Sequence, residues 1–356
     1  MADINFGLLK QLCETPGIPG REEPIRRLVA DAMRPLVGEV AVDALGNVIG
    51  RRPGRSSCRV MLAAHMDEIG FMVKHIDDKG FVRILPMGGW DPRNVVSQRV
   101  YVHTRSGESL LGAVMPGVKP IHMQKPEDAN KPPTIDELFV DLGLPADEVK
   151  ARLEIGDPVT MARTAEIVGG NVMSKTLDAR VAVFVMLEAL RVVGDHEAEV
   201  LAVATTQEEV GTRGALVAAH DLQPTVGVAI DTTLANDYPG PADYDAVTRL
   251  GSGVGIKILD SSLICNPQLV RHFRDLAEAN NISHQMEILP RGGTDAGAIQ
   301  RSRGPVPSIT LSVPSRYVHT VNEMASLKDI EAAIQLLTVY LRHAHEGRYG
   351  FEADLG

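Results

Sequence analysis

Short apolar, β-branched runs alternate with amphipathic helical stretches through the second half of this 356-residue chain, and nearly every such run ends in an acidic or imidazole side chain. The pattern reads as helix over Asp178–Val193, strand over Glu199–Thr205, helix over Arg213–His220 and strand over Val226–Ile230. It continues with strand Gly255–Leu259, helix Pro267–Asn280, helix Ala296–Arg301, strand Ser308–Val313 and helix Leu327–His345. Alternation of this kind predicts an α/β fold, a mostly parallel sheet sandwiched by helices, because parallel neighbours need helical crossovers and those crossovers cover the sheet.

The first third begins in the same style, with a helix at Leu8–Leu12, a second over Glu22–Leu36, and strand-like runs at Glu39–Ile49 and Arg59–Ala64. Between about Phe71 and Arg163 the texture changes. Strand candidates Phe71–His75, Phe81–Leu85, Arg99–His103, Leu110–Val114 and Pro158–Met161 are separated by Gly, Asp and Pro turns, with a short helix near Pro145–Leu153. Short strands at regular spacing predict a small barrel or PDZ-like unit. Residues 1–68 and 166–356 are therefore expected to form one α/β domain, interrupted by a β-rich insertion at 69–165. The stretch Met115–Glu137 carries Pro116, Pro120, Pro126, Pro132 and Pro133 and is expected to be an extended loop with His122 or Gln124 at its tip.

Charge and composition exclude several functions. With 36 Lys+Arg against 46 Asp+Glu the net charge is −10, which argues against a nucleic-acid surface built on clustered cations. The apolar runs are too short for a membrane span. Cys13, Cys58 and Cys265 are sparse and widely spaced, which fits a reducing, cytoplasmic setting and offers no sulfur-ligated metal site. A single Trp and 4% aromatic residues give little stacking surface for sugars.

The chemistry sits at strand ends, where open α/β sheets bind ligands. His65-Met66-Asp67-Glu68 follows a buried strand, and a carboxylate two residues from a His can orient its ring. Asp178 opens a helix, a position where Asp is also a common N-cap. Glu208 and Glu209 end a third apolar run; such a pair also suggests glycosidase carboxylates, but adjacent strand residues point to opposite faces. Asp231 and His319 follow two further strands. Each of these has an ordinary structural explanation alone. Together they bring imidazole and carboxylate donors to one sheet edge, a donor set that suits Zn, Co or Mn. Two His and three carboxylates suffice for two cations if one Asp bridges, leaving Glu208 free to move a proton.

These segments also resemble a known family. His65-Met66-Asp67-Glu68-Ile69-Gly70-Phe71, Leu177-Asp178, Glu208-Glu209-Val210-Gly211, Ile230-Asp231, Gly292-Gly293-Thr294-Asp295-Ala296-Gly297-Ala298 and Arg316-Tyr317-Val318-His319 are similar, in order and spacing, to motifs of the tetrahedral dinuclear metallo-aminopeptidases of peptidase clan MH. That group holds glutamyl and deblocking aminopeptidases and members once labelled cellulases. The resemblance implies two divalent ions per subunit, zinc foremost with cobalt or manganese as alternatives. His65, Asp178 and Asp231 would hold one, and Asp178, Glu209 and His319 the other. Glu208 would be the general base acting on a bridging water, and Asp67 would orient His65. It further implies short peptides with a free N-terminus as substrates, dimerisation through the β-rich insertion, and assembly into a dodecamer. A related dinuclear deacylase or carboxypeptidase stays open, and a glycan hydrolase is disfavoured by the aromatic content. Two departures stand out: Ala179 follows the bridging Asp where the family usually has Asp or Asn, and Thr320-Val321 replaces a Ser-Pro-like pair after His319, a position read as non-catalytic. Arg291 or Asp295, beside the paired glycines, is expected to influence which N-terminal side chain is accepted.

Overall fold

Strand register explains why the apolar runs are uninterrupted. In Arg59–His65, Val60, Leu62 and Ala64 face one hydrophobic layer, whereas Met61 and Ala63 face another, so both faces of the strand are dry. A strand covered on both faces loses the polar–apolar alternation of a half-exposed one. The computed structural model describes residues 4–119, 121–123 and 132–351; Pro120, Gln124 and Pro126 of the proline-rich stretch lie outside the described residues.

In chain order the elements begin with α1 (Phe6–Glu14), α2 (Glu23–Met33), β1 (Glu39–Val42), β2 (Val48–Arg52) and β3 (Arg59–His65). There follow β4 (Gly70–Ile76), β5 (Val82–Met87), β6 (Arg99–His103), β7 (Ser109–Pro116), β8 (Leu138–Asp141), α3 (Ala146–Arg152) and β9 (Pro158–Met161). Next come β10 (Glu166–Val168), β11 (Asn171–Ser174), α4 (Leu177–Val192), β12 (Glu199–Thr205), α5 (Arg213–Leu222), β13 (Val226–Leu234) and β14 (Val254–Leu259). The chain closes with α6 (Pro267–Ala279), β15 (His284–Ile288), α7 (Asp295–Gln300), β16 (Ser308–Arg316), β17 (Glu323–Ser326) and α8 (Leu327–His343).

The expected mixed α/β architecture is present. Among the described residues an eleven-stranded sheet runs β1-β2-β12-β3-β13-β16-β17-β11-β10, with β14 paired to β16 and β15 to β14. Its centre, β12-β3-β13-β16, is parallel, and antiparallel strands extend it on both flanks. Helices α1 and α4 with α8 cover one face, and α5 and α7 cover the other. Helix α4 is apolar almost all round because it lies on β3 and β13 beneath α1 and α8.

The run Glu39–Ile49, read as one strand, is instead a hairpin. Asp43 Oδ1 accepts hydrogen bonds from the amides of Leu45, Gly46 and Asn47, turning the chain between β1 and β2. Between the two parts of the sheet's sequence, strands β4-β5-β8-β7-β6-β9 close into a barrel. Its interior is filled by Phe71, Val73, Val82, Ile84, Val100, Val102, Val114 and Val159. One barrel strand, β8, was not among the sequence expectations; it follows directly on the proline-rich stretch and is only four residues long. Among the described residues no helix is long and apolar enough to cross a membrane.

Candidate metal centre

Four adjacent parallel strands deliver side chains to the same sheet edge. β3 ends on His65, in register with Thr205 at the end of β12, and β13 carries Asp231 opposite Ser312 of β16. The loop after β12 brings Glu208 and Glu209, and the turn after β16 brings His319, whose backbone is left-handed at φ 62°. Asp178 enters from the mouth of α4, where its φ/ψ of −77°/110° is extended rather than helical, so its side chain turns away from the helix instead of capping it.

That carboxylate lies between the two imidazoles. Asp178 Oδ1 is 3.2 Å from His65 Nε2, and Oδ2 is 3.4 Å from His319 Nε2. Asp231 Oδ1 approaches His65 Nε2 at 3.7 Å, and Glu209 Oε1 approaches His319 Nε2 at 3.4 Å. Donor atoms of His65, Asp178 and Asp231 lie within 4.8 Å of one another, as do those of Asp178, Glu209 and His319. The two groups share Asp178. Glu208 belongs to neither, although its Oε2 is 4.0 Å from His65 Nε2.

The electrostatics explain why so many acids need a counter-charge here. Burial pushes Glu208 and Asp231 well above the usual carboxylate range and raises Glu209, and neighbouring carboxylates add to each shift. Burial also opposes a charge on the imidazoles, yet His319 is pushed up to about 12 by Asp178 and Glu209. His65 is raised well above its ordinary value, with Asp178 and Asp67 outweighing burial. Asp178 shows the complementary effect: burial would raise it, but the two histidines hold it far below the usual carboxylate range. The carboxylates thus favour positive charge at this spot, which a divalent cation supplies. Glu209 Oε1, buried and without a hydrogen-bond partner, is an acceptor left open for one. The donor set is all nitrogen and oxygen, and the fit to a pair of Zn-, Co- or Mn-class ions is good.

Asp67 stands beside His65 and does more than the sequence expectation gave it. Its backbone carbonyl is 3.1 Å from His65 Nδ1 and its carboxylate Oδ1 is 3.6 Å from the same nitrogen. The carboxylate accepts from the amides of Glu208 at 3.0 Å and Glu209 at 3.1 Å, fixing the loop that carries both acids. Neighbouring Glu68 is buried with Lys175, Thr176 and Arg180, tying β3 to the segment that leads into Asp178.

Above the cluster opens a cleft of about 490 Å³, in the usual range for small-molecule sites. Thr232, Thr233, Leu234, Leu289 and Val318 contribute to its wall, together with Gly292 and Gly293. Arg291 lines it as well, whereas Asp295 is buried behind the wall, its Oδ2 accepting from Thr205 Oγ1 at 2.5 Å. Thr294 does not cap α7 through its hydroxyl; it bonds Asp260 and Thr310.

Three contributors escaped sequence reasoning. Gly88 and Gly89, after β5, bring the barrel against the site: a Cβ on Gly88 would lie 3.2 Å from Glu209 Oε2, and one on Gly89 3.3 Å from His319 Nδ1. Paired glycines beside the only Trp were the available signal of close backbone approach. Trp90 anchors that segment, donating to Gly70 O at 3.0 Å and stacking on Phe71. The third is Glu323, which gave no signal because it lies at the start of a four-residue strand.

Comparison with known proteins finds relatives over nearly the whole chain. Residues 46–336 match the family model described as M42 glutamyl aminopeptidase. The lysyl aminopeptidase of Pyrococcus furiosus is 36% identical, over 95% of this chain and 97% of its own. An aminopeptidase of the archaeon Desulfurococcus kamchatkensis superposes with a TM-score of 0.91 at 39% identity, covering 95% of this chain and 94% of that one. The TET1 peptidase of Pyrococcus horikoshii, described as able to assemble into a tetrahedron or a large octahedral shell, gives a TM-score of 0.84 at 32% identity over 94% and 98%.

Proposed function

The chain belongs to the M42 glutamyl aminopeptidase family, and from that premise we propose that its metal-dependent aminopeptidase activity is exerted by a pair of divalent ions at the two clusters that share Asp178. His65, Asp178 and Asp231 hold one ion, and Asp178, Glu209 and His319 the other. The observation that carries the reading is the sharing itself: one carboxylate offers one oxygen to each imidazole, with a further acid beside each histidine. Bound there, such ions supply Lewis acidity toward the scissile carbonyl and lower the pKa of the attacking water.

The protein's own groups do the rest. Glu208, outside both ligand groups, takes the proton of the attacking water and returns it to the departing amine. Asp67 keeps Glu208 and Glu209 in place by accepting both amides. The acidic lining attracts the free α-ammonium of the substrate and places the first peptide bond at the cluster, which restricts cleavage to the N-terminal residue. The wall at Thr232, Leu234, Leu289 and Val318 receives that residue's side chain. Zinc is the foremost occupant, with cobalt and manganese compatible with the same donors.

Self-association into a closed shell, through contacts that include the barrel, completes the reading; its support is the assembly of the TET1 relative. Mass photometry of the purified chain checks it, and a monomer at micromolar concentration removes it. The catalytic reading is tested by exhaustive chelation followed by a panel of free and N-acetylated aminoacyl p-nitroanilides, with Zn²⁺, Co²⁺ and Mn²⁺ restored one at a time. Activity should vanish, return with metal, and require the free amine. Turnover that survives chelation, or a saturating content of one ion per chain, rules the paired site out.

A further inference from the structure

Three of the clustered side chains hang from irregular backbone; Asp67 fixes the loop of Glu209, and the other two are held differently. Asp178 sits at extended φ/ψ in the first turn of α4, two residues after Thr176 at φ 62°, and His319 sits at φ 62° in the turn after β16. Neither N–H belongs to a helix or strand ladder. Both end on one side chain: Glu323 Oε2 accepts from Asp178 N at 2.9 Å, and Oε1 accepts from His319 N at 2.8 Å. Glu323 is 1% exposed and is itself fixed by the sheet, opposite Ser174 of β11 in a strand that also pairs with β16. On the far side of these two backbones the side chains converge, His319 Nε2 lying 3.4 Å from Asp178 Oδ2.

We propose that Glu323 is a positioning residue: its carboxylate clamps the backbones of Asp178 and His319 in one fixed relation and so sets the affinity of the cation held by Asp178, Glu209 and His319, without touching that cation. The inference rests on the reading of the two clusters as ion sites. It goes beyond that reading in predicting an asymmetry. His65 and Asp231 stand on β3 and β13, whose ladders hold them without help. His319 stands on a turn, and its place relative to Asp178 depends on Glu323. A buried N–H that loses its acceptor pulls the turn toward another arrangement.

The test uses the full chain, stripped by chelation and titrated with Co²⁺, following heat and the visible d–d absorption. Glu323→Gln keeps the shape but offers one acceptor where two are needed; Glu323→Asp keeps the charge but withdraws it by one methylene. The wild-type chain should take two Co²⁺. Both variants should keep one ion at near wild-type affinity and bind the other about 10- to 100-fold more weakly, with an altered absorption for that ion and unchanged far-UV circular dichroism. Wild-type affinities and spectra in both variants overturn the proposal. So does equal weakening of both ions, or loss of secondary structure in both variants, since Glu323 is then a general folding residue. A wild-type chain that takes up fewer than two ions fails at an earlier point, because it removes the paired-site reading before any variant is compared.

Discussion

Glu208→Gln separates proton transfer from metal binding more cleanly than any other change at the site. The amide is isosteric with the carboxylate but cannot accept a proton. Glu208 is in neither group of clustered ligands, and its closest charged contact there is His65 Nε2 at 4.0 Å, so the variant should retain both ions. A positioned general base contributes roughly 10²- to 10⁴-fold to turnover, equivalent to about 3–5 kcal/mol of transition-state stabilisation at 1.36 kcal/mol per decade. That loss should fall on kcat, with little change in KM. The metal-free protein should respond in the opposite direction. Burial raises the pKa of Glu208 in the fold, so its ionisation works against folding once the pH exceeds the ordinary value of 4.5. Neutral Gln removes that burden, and the metal-free variant should melt at the same or a higher temperature at pH 7. The assay is steady-state hydrolysis of leucine p-nitroanilide with metal content measured on the same samples, alongside thermal melts of the stripped protein. A fully loaded variant whose kcat stays within tenfold of wild type refutes the assignment; loss of an ion makes Glu208 a ligand instead.

The remaining predictions probe charge placement. Lys257 and Glu287 form an ion pair with both side chains fully buried, so Lys257→Met alone should cost about 3–5 kcal/mol in urea unfolding. Adding Glu287→Leu should recover most of it, and a single-variant loss below about 1 kcal/mol contradicts the argument. Glu68 shows the pH dependence of a paired acid: burial would raise its pKa, but Lys175 and Arg180 more than offset this and lower it from 4.5. Its contribution is therefore complete above pH 4.5 and is lost as the pH falls toward the depressed folded value. Thermal melts from pH 7 to pH 3 should show a shallower acid decline in Glu68→Gln, on a lower plateau; an unchanged slope counts against the pairing. Arg291 is the arginine that lines the cleft, so Arg291→Glu should lower the ratio of kcat/KM for glutamyl over lysyl p-nitroanilides by about tenfold at low salt, the scale expected of a partly exposed charge. An unchanged ratio places Arg291 outside the side-chain pocket.

Legibility in the sequence followed how local each signal was. The doubly buried strands β3, β12, β13 and β16 announce themselves through unbroken β-branched runs, and each hands its final residue or following turn to the same edge. That is why His65, Glu209, Asp231 and His319 could be named, with Asp178 read from a helix start instead, and the fold gathers the five into two groups that share Asp178. β15 and β17 were missed because His284–Ile288 mixes polar and apolar residues and Glu323–Ser326 runs straight into α8 without a turn signal. Buried charges were equally silent: nothing local marks Lys257, Glu287 or Glu323 as interior, since each is made tolerable by a partner far away in sequence. For the same reason only the His65 side of Asp67 was legible, and not that its carboxylate also reaches amides 141 and 142 residues further along.

The place of β16 carries a consequence for folding. This strand lies inside the sheet between β13 and β17, far from β13 in sequence, and the turn with His319 follows it. Until it docks, the β13 edge is open and the cluster lacks one of its two imidazoles. That slot closes through a non-local pairing, which is intrinsically slow, so the full ligand set waits on a single strand finding its place.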